Sequence, residues 1–286
     1  MKTSLIQLCS TRDVAHNLKR CDELADQAIA DGADWILFPE NAPFLGPDKE
    51  KFTIAEPIDG PIVGHFREIA RRGQCWVSLG SFAEKIASER GGAPERTYNT
   101  QLLIAPSGET VAVYRKIHLF DVHVEGGQSF LESGSVAPGD QVVSAAIAPD
   151  GTSAPAQRVG LTICYDLRFP ELYRALSAQG ATVLTAPAAF TLQTGRDHWH
   201  PLLQARAIEN QAYILAPNQF GNHFGQRWSY GHSAIYDPWG RMIACAPDTE
   251  CVVSATLDFE YLNDVRQRMP CLSHRRLGGP NTSTFK

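Results

Sequence analysis

With 286 residues, 43% of them hydrophobic, the chain holds enough apolar material for one large domain with a buried core, and no stretch reads as a linker dividing it. A net charge of −5 without a basic stripe makes nucleic acid and anionic membrane poor partners and leaves a small molecule or another protein. Seven cysteines (Cys9, Cys21, Cys75, Cys164, Cys245, Cys251 and Cys271) form no C-x-x-C pair, the opening residues carry no apolar signal core, and no run is long enough to span a bilayer, so a soluble cytoplasmic protein with reduced thiols is expected.

Residues 3–9 alternate like a strand, and residues 14–29 place Leu18, Cys21, Leu24, Ala25, Ala28 and Ile29 at helical spacing before a stop at Gly32. Trp35-Ile36-Leu37-Phe38 is a continuous apolar run, as expected of a strand covered on both faces, and it delivers Glu40 at its carboxyl end. Asp59-Gly60-Pro61 opens a helix carrying Ile62, Phe66, Ile69 and Ala70, and residues 75–82 form the next strand, so a β-α-β pattern repeats. After a polar loop over 88–95, residues 98–104 and 110–114 read as a hairpin turned by Pro106-Ser107-Gly108-Glu109. The hairpin sets Lys116 just beyond a strand, ahead of a long irregular stretch over 121–139 that contains Glu132; ordered loops of that length in compact domains are usually functional.

Residues 159–163 are a β-branched and aliphatic run, and Pro170-Glu171-Leu172 reads as a helix start with proline in its first turn, so Cys164 occupies the bend between strand and helix. A thiol there is held rigidly yet presented at the strand's carboxyl end, with the next backbone N–H groups pointing at whatever approaches the sulfur. Most free cysteines, however, are small buried hydrophobes, and this stretch alone leaves both readings open. Beyond it come a helix over 170–179, a strand over 182–186, a loop through Gly195, a helix over 199–210 and a strand over 213–216. A hairpin of 233–236 with 242–245, a final strand over 251–257, a short helix over 261–267 and a polar tail complete the chain. The domain is placed at 1–270 and the tail at 271–286.

Strands alternating with helices, plus hairpins, predict mixed sheets with helices on their outer faces, a layered α/β sandwich in which ligands collect at the carboxyl ends of strands. Glu40, Lys116 and Cys164 all fall just past strand ends, a coincidence that shifts the reading of Cys164 toward function. Individually, a Lys or Glu after a strand is usually a solvated surface residue. His198 and His200 lack a clear third metal ligand, and His118 beside Lys116 lacks the local signature of a papain-like cysteine, so neither a metal site nor a Cys-His pair is favoured.

In this order, Phe38-Pro39-Glu40-Asn41, Tyr114-Arg115-Lys116-Ile117-His118-Leu119, Glu132-Ser133 and Cys164-Tyr165-Asp166-Leu167-Arg168-Phe169-Pro170-Glu171-Leu172 resemble the nitrilase superfamily of carbon–nitrogen hydrolases over nearly the whole length. The resemblance implies a four-layer α-β-β-α sandwich with two mixed β-sheets. Within the superfamily the chain is most similar to deaminated glutathione amidases, through Thr194-Gly195-Arg196-Asp197-His198-Trp199, Ala205-Arg206-Ala207-Ile208-Glu209-Asn210, Ser229-Tyr230-Gly231-His232-Ser233, Asp237-Pro238-Trp239-Gly240 and His274-Arg275-Arg276. Omega-amidases for 2-oxoglutaramate or 2-oxosuccinamate share much of this, and another superfamily amidase, such as an N-carbamoyl amide hydrolase, is a further alternative. Tyr165-Asp166 after the cysteine, where nitrile-cleaving members generally have Trp-Glu, points to amides.

What the resemblance implies chemically is a Glu40-Lys116-Cys164 triad with Glu132 as a second glutamate. Glu40 would be the base that takes the thiol proton, Lys116 and the Tyr165 N–H would hold the oxyanion, and Glu132 would orient Lys116; no metal or cofactor is implied. Arg168, Phe190 and Thr194 are candidates to hold a substrate carboxylate, although Arg168 could instead pair with Asp166 or Glu171 to brace the bend. A non-catalytic interaction protein on the same fold is the reading of a different class, and four intact positions count against it. Superfamily members associate through dimers that extend their sheets, so a homodimer or higher homo-oligomer is expected, with the tail packed on a neighbouring subunit.

Overall fold

A computed structural model describes residues 1–86, 96–123, 129–148 and 156–277; the polar loop expected over 88–95, residues 124–128 of the long stretch and the end of the tail lie outside them. In chain order, β1 (Lys2–Gln7), α1 (Val14–Ala30) and β2 (Trp35–Leu37) are followed by α2 (Asp48–Ile54), α3 (Pro61–Gly73) and β3 (Trp76–Lys85). Next come β4 (Thr97–Ile104), β5 (Thr110–Arg115), β6 (Asp121–His123), β7 (Ser129–Leu131), β8 (Ser144–Ile147) and β9 (Gln157–Gly160). Then follow α4 (Pro170–Ala178), β10 (Val183–Thr185), α5 (Leu192–Asn210), β11 (Tyr213–Ala216), β12 (Phe220–Phe224) and β13 (Arg227–Tyr230). The described chain closes with β14 (Ala234–Tyr236), β15 (Met242–Cys245), β16 (Cys251–Thr256) and α6 (Phe259–Arg268).

Two mixed sheets result, ordered β16-β1-β2-β3-β4-β5 and β15-β14-β11-β10-β9-β8. Each has a parallel trio at its centre, β1-β2-β3 in one and β9-β10-β11 in the other, with antiparallel strands outside. Side-chain alternation then decides the layering. Leu5, Trp35 and Leu37 point into a core shared with the second sheet, α4 and α5, whereas Ile6, Ile36 and Phe38 point the other way onto α1 and α3. Helices therefore cover the outer face of each sheet, and the two sheets pack face to face, as the four-layer expectation requires.

Several elements differ from the sequence reading, each for a physical reason. The strand expected over 159–163 ends at Gly160; beyond it the Leu161 N–H still donates to the Val143 carbonyl at 3.0 Å, and the Thr162 hydroxyl donates to the Thr185 carbonyl at 2.6 Å. α5 begins seven residues before Trp199, because Gly195, a breaker in sequence, is where the helix passes beneath Tyr230 so closely that an added Cβ would lie 2.3 Å from it. The stretch over 121–139 contains the β6–β7 ribbon and a 3₁₀ turn at Glu132–Gly134. α2, β8 and the β12–β13 hairpin escaped the sequence reading, the hairpin because Gly221, Asn222 and Gly225 carry ordinary loop composition.

Candidate active site

Glu40, Lys116 and Cys164 each arrive from the carboxyl end of a strand, two from the first sheet and one from the second, so the facing of the sheets brings them together. Relative exposures of 4% for Glu40 and 2% for Lys116 remove the solvated-surface reading for those two, and it is their convergence on Cys164, itself 9% exposed, that bears on the buried-hydrophobe reading of the thiol. Two glycines make these arrivals possible. An added Cβ at Gly80 of β3 would lie 2.0 Å from the Phe38 carbonyl oxygen and 2.4 Å from that of Pro39, so β3 can pass behind the Glu40 segment only without a side chain there. At Gly139 the Cβ would lie 2.2 Å from the Arg115 carbonyl oxygen, immediately before Lys116.

The Lys116 ammonium donates to Glu40 Oε1 at 3.0 Å and to Glu132 Oε2 and Oε1 at 2.9 and 3.1 Å. Asn99 on β4 spans the same two carboxylates, its Nδ2 donating at 2.9 Å to Glu40 and 3.2 Å to Glu132. Backbone donors complete the frame: Ala189 N–H to Glu40 Oε2 at 2.8 Å and Phe120 N–H to Glu132 Oε2 at 2.7 Å. Burial by itself would pull the Lys116 pKa down, but Glu132 and Glu40 outweigh it and hold the ammonium charged well above its ordinary range. The reciprocal effect is felt at Glu132: burial pushes its carboxyl up, Lys116 and then Lys51 push it down, and the cations prevail.

Cys164 sits at φ +47°, in the left-handed region, at the head of a 3₁₀ turn spanning Cys164–Arg168. Asp166 pins this bend: Oδ2 accepts from the Ile163 N–H at 2.9 Å and the Tyr114 hydroxyl at 2.6 Å, while Oδ1 accepts from the His118 N–H at 3.1 Å. The Cys164 N–H is taken by the Pro187 carbonyl at 2.9 Å and the Asp166 N–H by that of Ile163 at 3.1 Å. The Tyr165 N–H lies between them at the start of the turn, where no preceding turn exists to accept it. Burial, and then the Glu40 carboxylate, push the Cys164 thiol well above its ordinary pKa against the pull of Lys116. This environment favours the thiol over the thiolate, so the nearby Glu40 carboxylate is suited to take the proton as the sulfur reacts.

These groups open onto a cleft of about 250 Å³ that Tyr165, Phe190 and Thr194 also line. Thr194 shares a 2.7 Å hydroxyl contact with Thr191. Arg168 does not line the cleft; its guanidinium lies over the rings of Tyr165 and Phe190 at 5.9 and 5.4 Å and reaches His198 Nδ1 at 3.3 Å, not Asp166 or Glu171. His118 faces away from the sulfur, bonded to Asp166 at 2.7 Å and stacked on Phe169 at 3.7 Å. His200 turns to the Tyr236 hydroxyl at 2.9 Å, and among the described residues no group of three or more His, Cys, Asp or Glu is placed to hold a metal ion. Two cationic lining residues went unread in the sequence: Lys51, on the unread α2, and Arg227, on the unread hairpin. Asn99 was also missed, since a polar residue inside a strand gives no sign of which carboxylates it will meet.

A buried thiol, a carboxylate and an ammonium converging at the strand ends of a layered α/β sandwich define a thiol-dependent hydrolase. The carbon–nitrogen hydrolase family model matches residues 2–267, and the chain belongs to that family. It is 44% identical over 270 residues to the deaminated glutathione amidase of Synechocystis, covering 94% of this chain and 96% of that one. With the human deaminated glutathione amidase it shares 39% identity over 274 residues, covering 96% and 81%. Among solved structures it is similar to the C. elegans NitFhit protein, with a TM-score of 0.85 at 34% identity over 96% of this chain and 65% of that one. The protein is a hydrolase of carbon–nitrogen bonds other than peptide bonds.

Proposed function

We propose that the protein hydrolyses the amide bond of small 2-oxo acid amides of the deaminated glutathione type, by way of a thioester on Cys164. The observation that carries this is the enclosed cluster of Glu40, Lys116, Glu132 and Cys164, with Glu40 and Glu132 both on the Lys116 ammonium. Glu40 takes the thiol proton as the sulfur attacks the amide carbonyl, then passes it to the departing amine, and finally deprotonates the water that cleaves the thioester; each such transfer is typically worth ~10²–10⁴ in rate. Lys116 and the Tyr165 N–H hold the tetrahedral oxyanion, one such donor being typically worth ~10²–10³. Glu132 keeps Lys116 oriented between the two carboxylates. Identity to two deaminated glutathione amidases supports that substrate ahead of 2-oxoglutaramate or 2-oxosuccinamate. Product analysis with purified protein on all three substrates tests the order; a higher kcat/KM on either smaller amide makes the protein an omega-amidase instead.

A further inference from the structure

Arg227 opens β13, the second strand of the hairpin, and its side chain enters the cleft against the segment that carries Phe190 and Thr194. That segment is fastened to the hairpin, the Tyr230 N–H donating to the Phe190 carbonyl at 2.8 Å and Thr191 bridging Ser229. Nη2 of Arg227 donates to the Ala189 carbonyl at 3.2 Å, while the Ala189 N–H donates to Glu40. The guanidinium also lies over the Phe130 ring at 4.8 Å. Its Nη1, by contrast, is enclosed and has no acceptor among the described residues. An enclosed guanidinium donor left without an acceptor is costly, and such groups in native proteins call for a partner.

The other cations of the cleft are committed. Lys116 holds both glutamates, and Lys51 pairs with Asp48 at 2.8 Å. We propose that Arg227 is the residue that reads the substrate: its Nη1 receives a carboxylate on the acyl chain, so that the site selects amides whose acyl part ends in a 2-oxo acid. This rests on the amidase reading above and names the group that gives it specificity. A planar fork anchored through Nη2 is suited to a carboxylate in a way a lysine is not. The competing role is that of a counter-ion to Glu40 and Glu132, which would make Arg227 matter equally for every amide.

The test compares Arg227→Gln with wild type on three amides: 2-oxoglutaramate, 4-oxopentanamide, in which a methyl replaces the carboxylate, and 4-oxopentanoylglycine, whose carboxylate sits on the leaving amine. Loss of one charged hydrogen bond predicts a rise of ~10–10²-fold in KM for 2-oxoglutaramate, with kcat and both other amides changed by less than about threefold. Equal loss on 2-oxoglutaramate and 4-oxopentanamide overturns the proposal in favour of the counter-ion. Loss confined to 4-oxopentanoylglycine overturns the placement on the acyl side. If wild type itself cleaves 4-oxopentanamide but not 2-oxoglutaramate, the 2-oxo acid reading fails and this inference with it. Calorimetric binding of 2-oxoglutaramate to Cys164→Ala, with and without Arg227→Lys, repeats the comparison without turnover should the glutamine variant fold poorly; unchanged affinity overturns the proposal.

Discussion

At the scale of single residues, the site is an economy of charge in a place that water hardly reaches. Lys116 is surrounded by Glu40 and Glu132, and removing one partner of a buried ion pair leaves an uncompensated charge. Lys116→Met is therefore expected to destabilise the fold by about 3–5 kcal/mol as well as to stop catalysis, measured by denaturant titration. Cys164→Ala is expected to abolish hydrolysis while the protein stays folded, since alanine loses only the sulfur. The same variant isolates a pH effect. The folded thiol has a raised pKa, so its contribution to stability is present below the ordinary thiol value of about 8.5 and is lost as pH climbs toward the higher folded value. The melting temperature of wild type should fall more steeply above about pH 8.5 than that of Cys164→Ala; parallel curves would show that the thiol is not displaced upward.

At the scale of elements, the site depends on how closely strands pass behind one another. Gly80 and Gly139 stand where any side chain would meet the backbone just ahead of Glu40 or just ahead of Lys116. Backbone cannot swing aside as a flexible side chain can. Gly80→Ala should cost about 1–3 kcal/mol through overpacking and, by shifting Glu40, lower kcat by up to ~10² with a smaller change in KM. Rates and melting temperature together check it; a variant equal to wild type in both would mean that the β2–β3 approach does not position the carboxylate. The 3₁₀ turn at Cys164 shows the same dependence, because the Asp166 carboxylate ties it to Tyr114 and His118, which flank Lys116 in sequence. Cys164 and Lys116 thereby share one brace across the sheets.

At the scale of the whole molecule, the described surface leaves Ile208, Trp239, Met242 and Ile243 exposed near the free edge strand β15. Ile208 lies against the turn between Trp239 and Met242, where an added Cβ at Gly240 would be 2.3 Å from it. An apolar patch beside an unpaired strand edge is a surface for self-association. The full-length protein is expected to run as a homodimer or larger in equilibrium sedimentation, and Trp239→Glu to shift it toward monomer. A monomeric wild type at micromolar concentration would refute this.

The positions of Glu40, Lys116 and Cys164 just past strand ends were legible in the sequence because strand ends announce themselves by apolar runs that stop at polar or turn residues, whereas the roles proposed for them came from the family resemblance. The continuous apolar run from Trp35 to Phe38 likewise announced a strand covered on both faces, since Ile36 and Leu37 must face opposite sides wherever the strand lies. Tertiary structure alone decided which polar side chains became partners. Arg168, beside the cysteine in sequence, turns out of the cleft onto His198, whereas Arg227, 63 positions away from it, turns in. Local patterns encode which face of an element is apolar, but the direction of a polar side chain is set by whatever the opposing element presents. The two facing sheets and the hairpin at their end could present it only once they had packed.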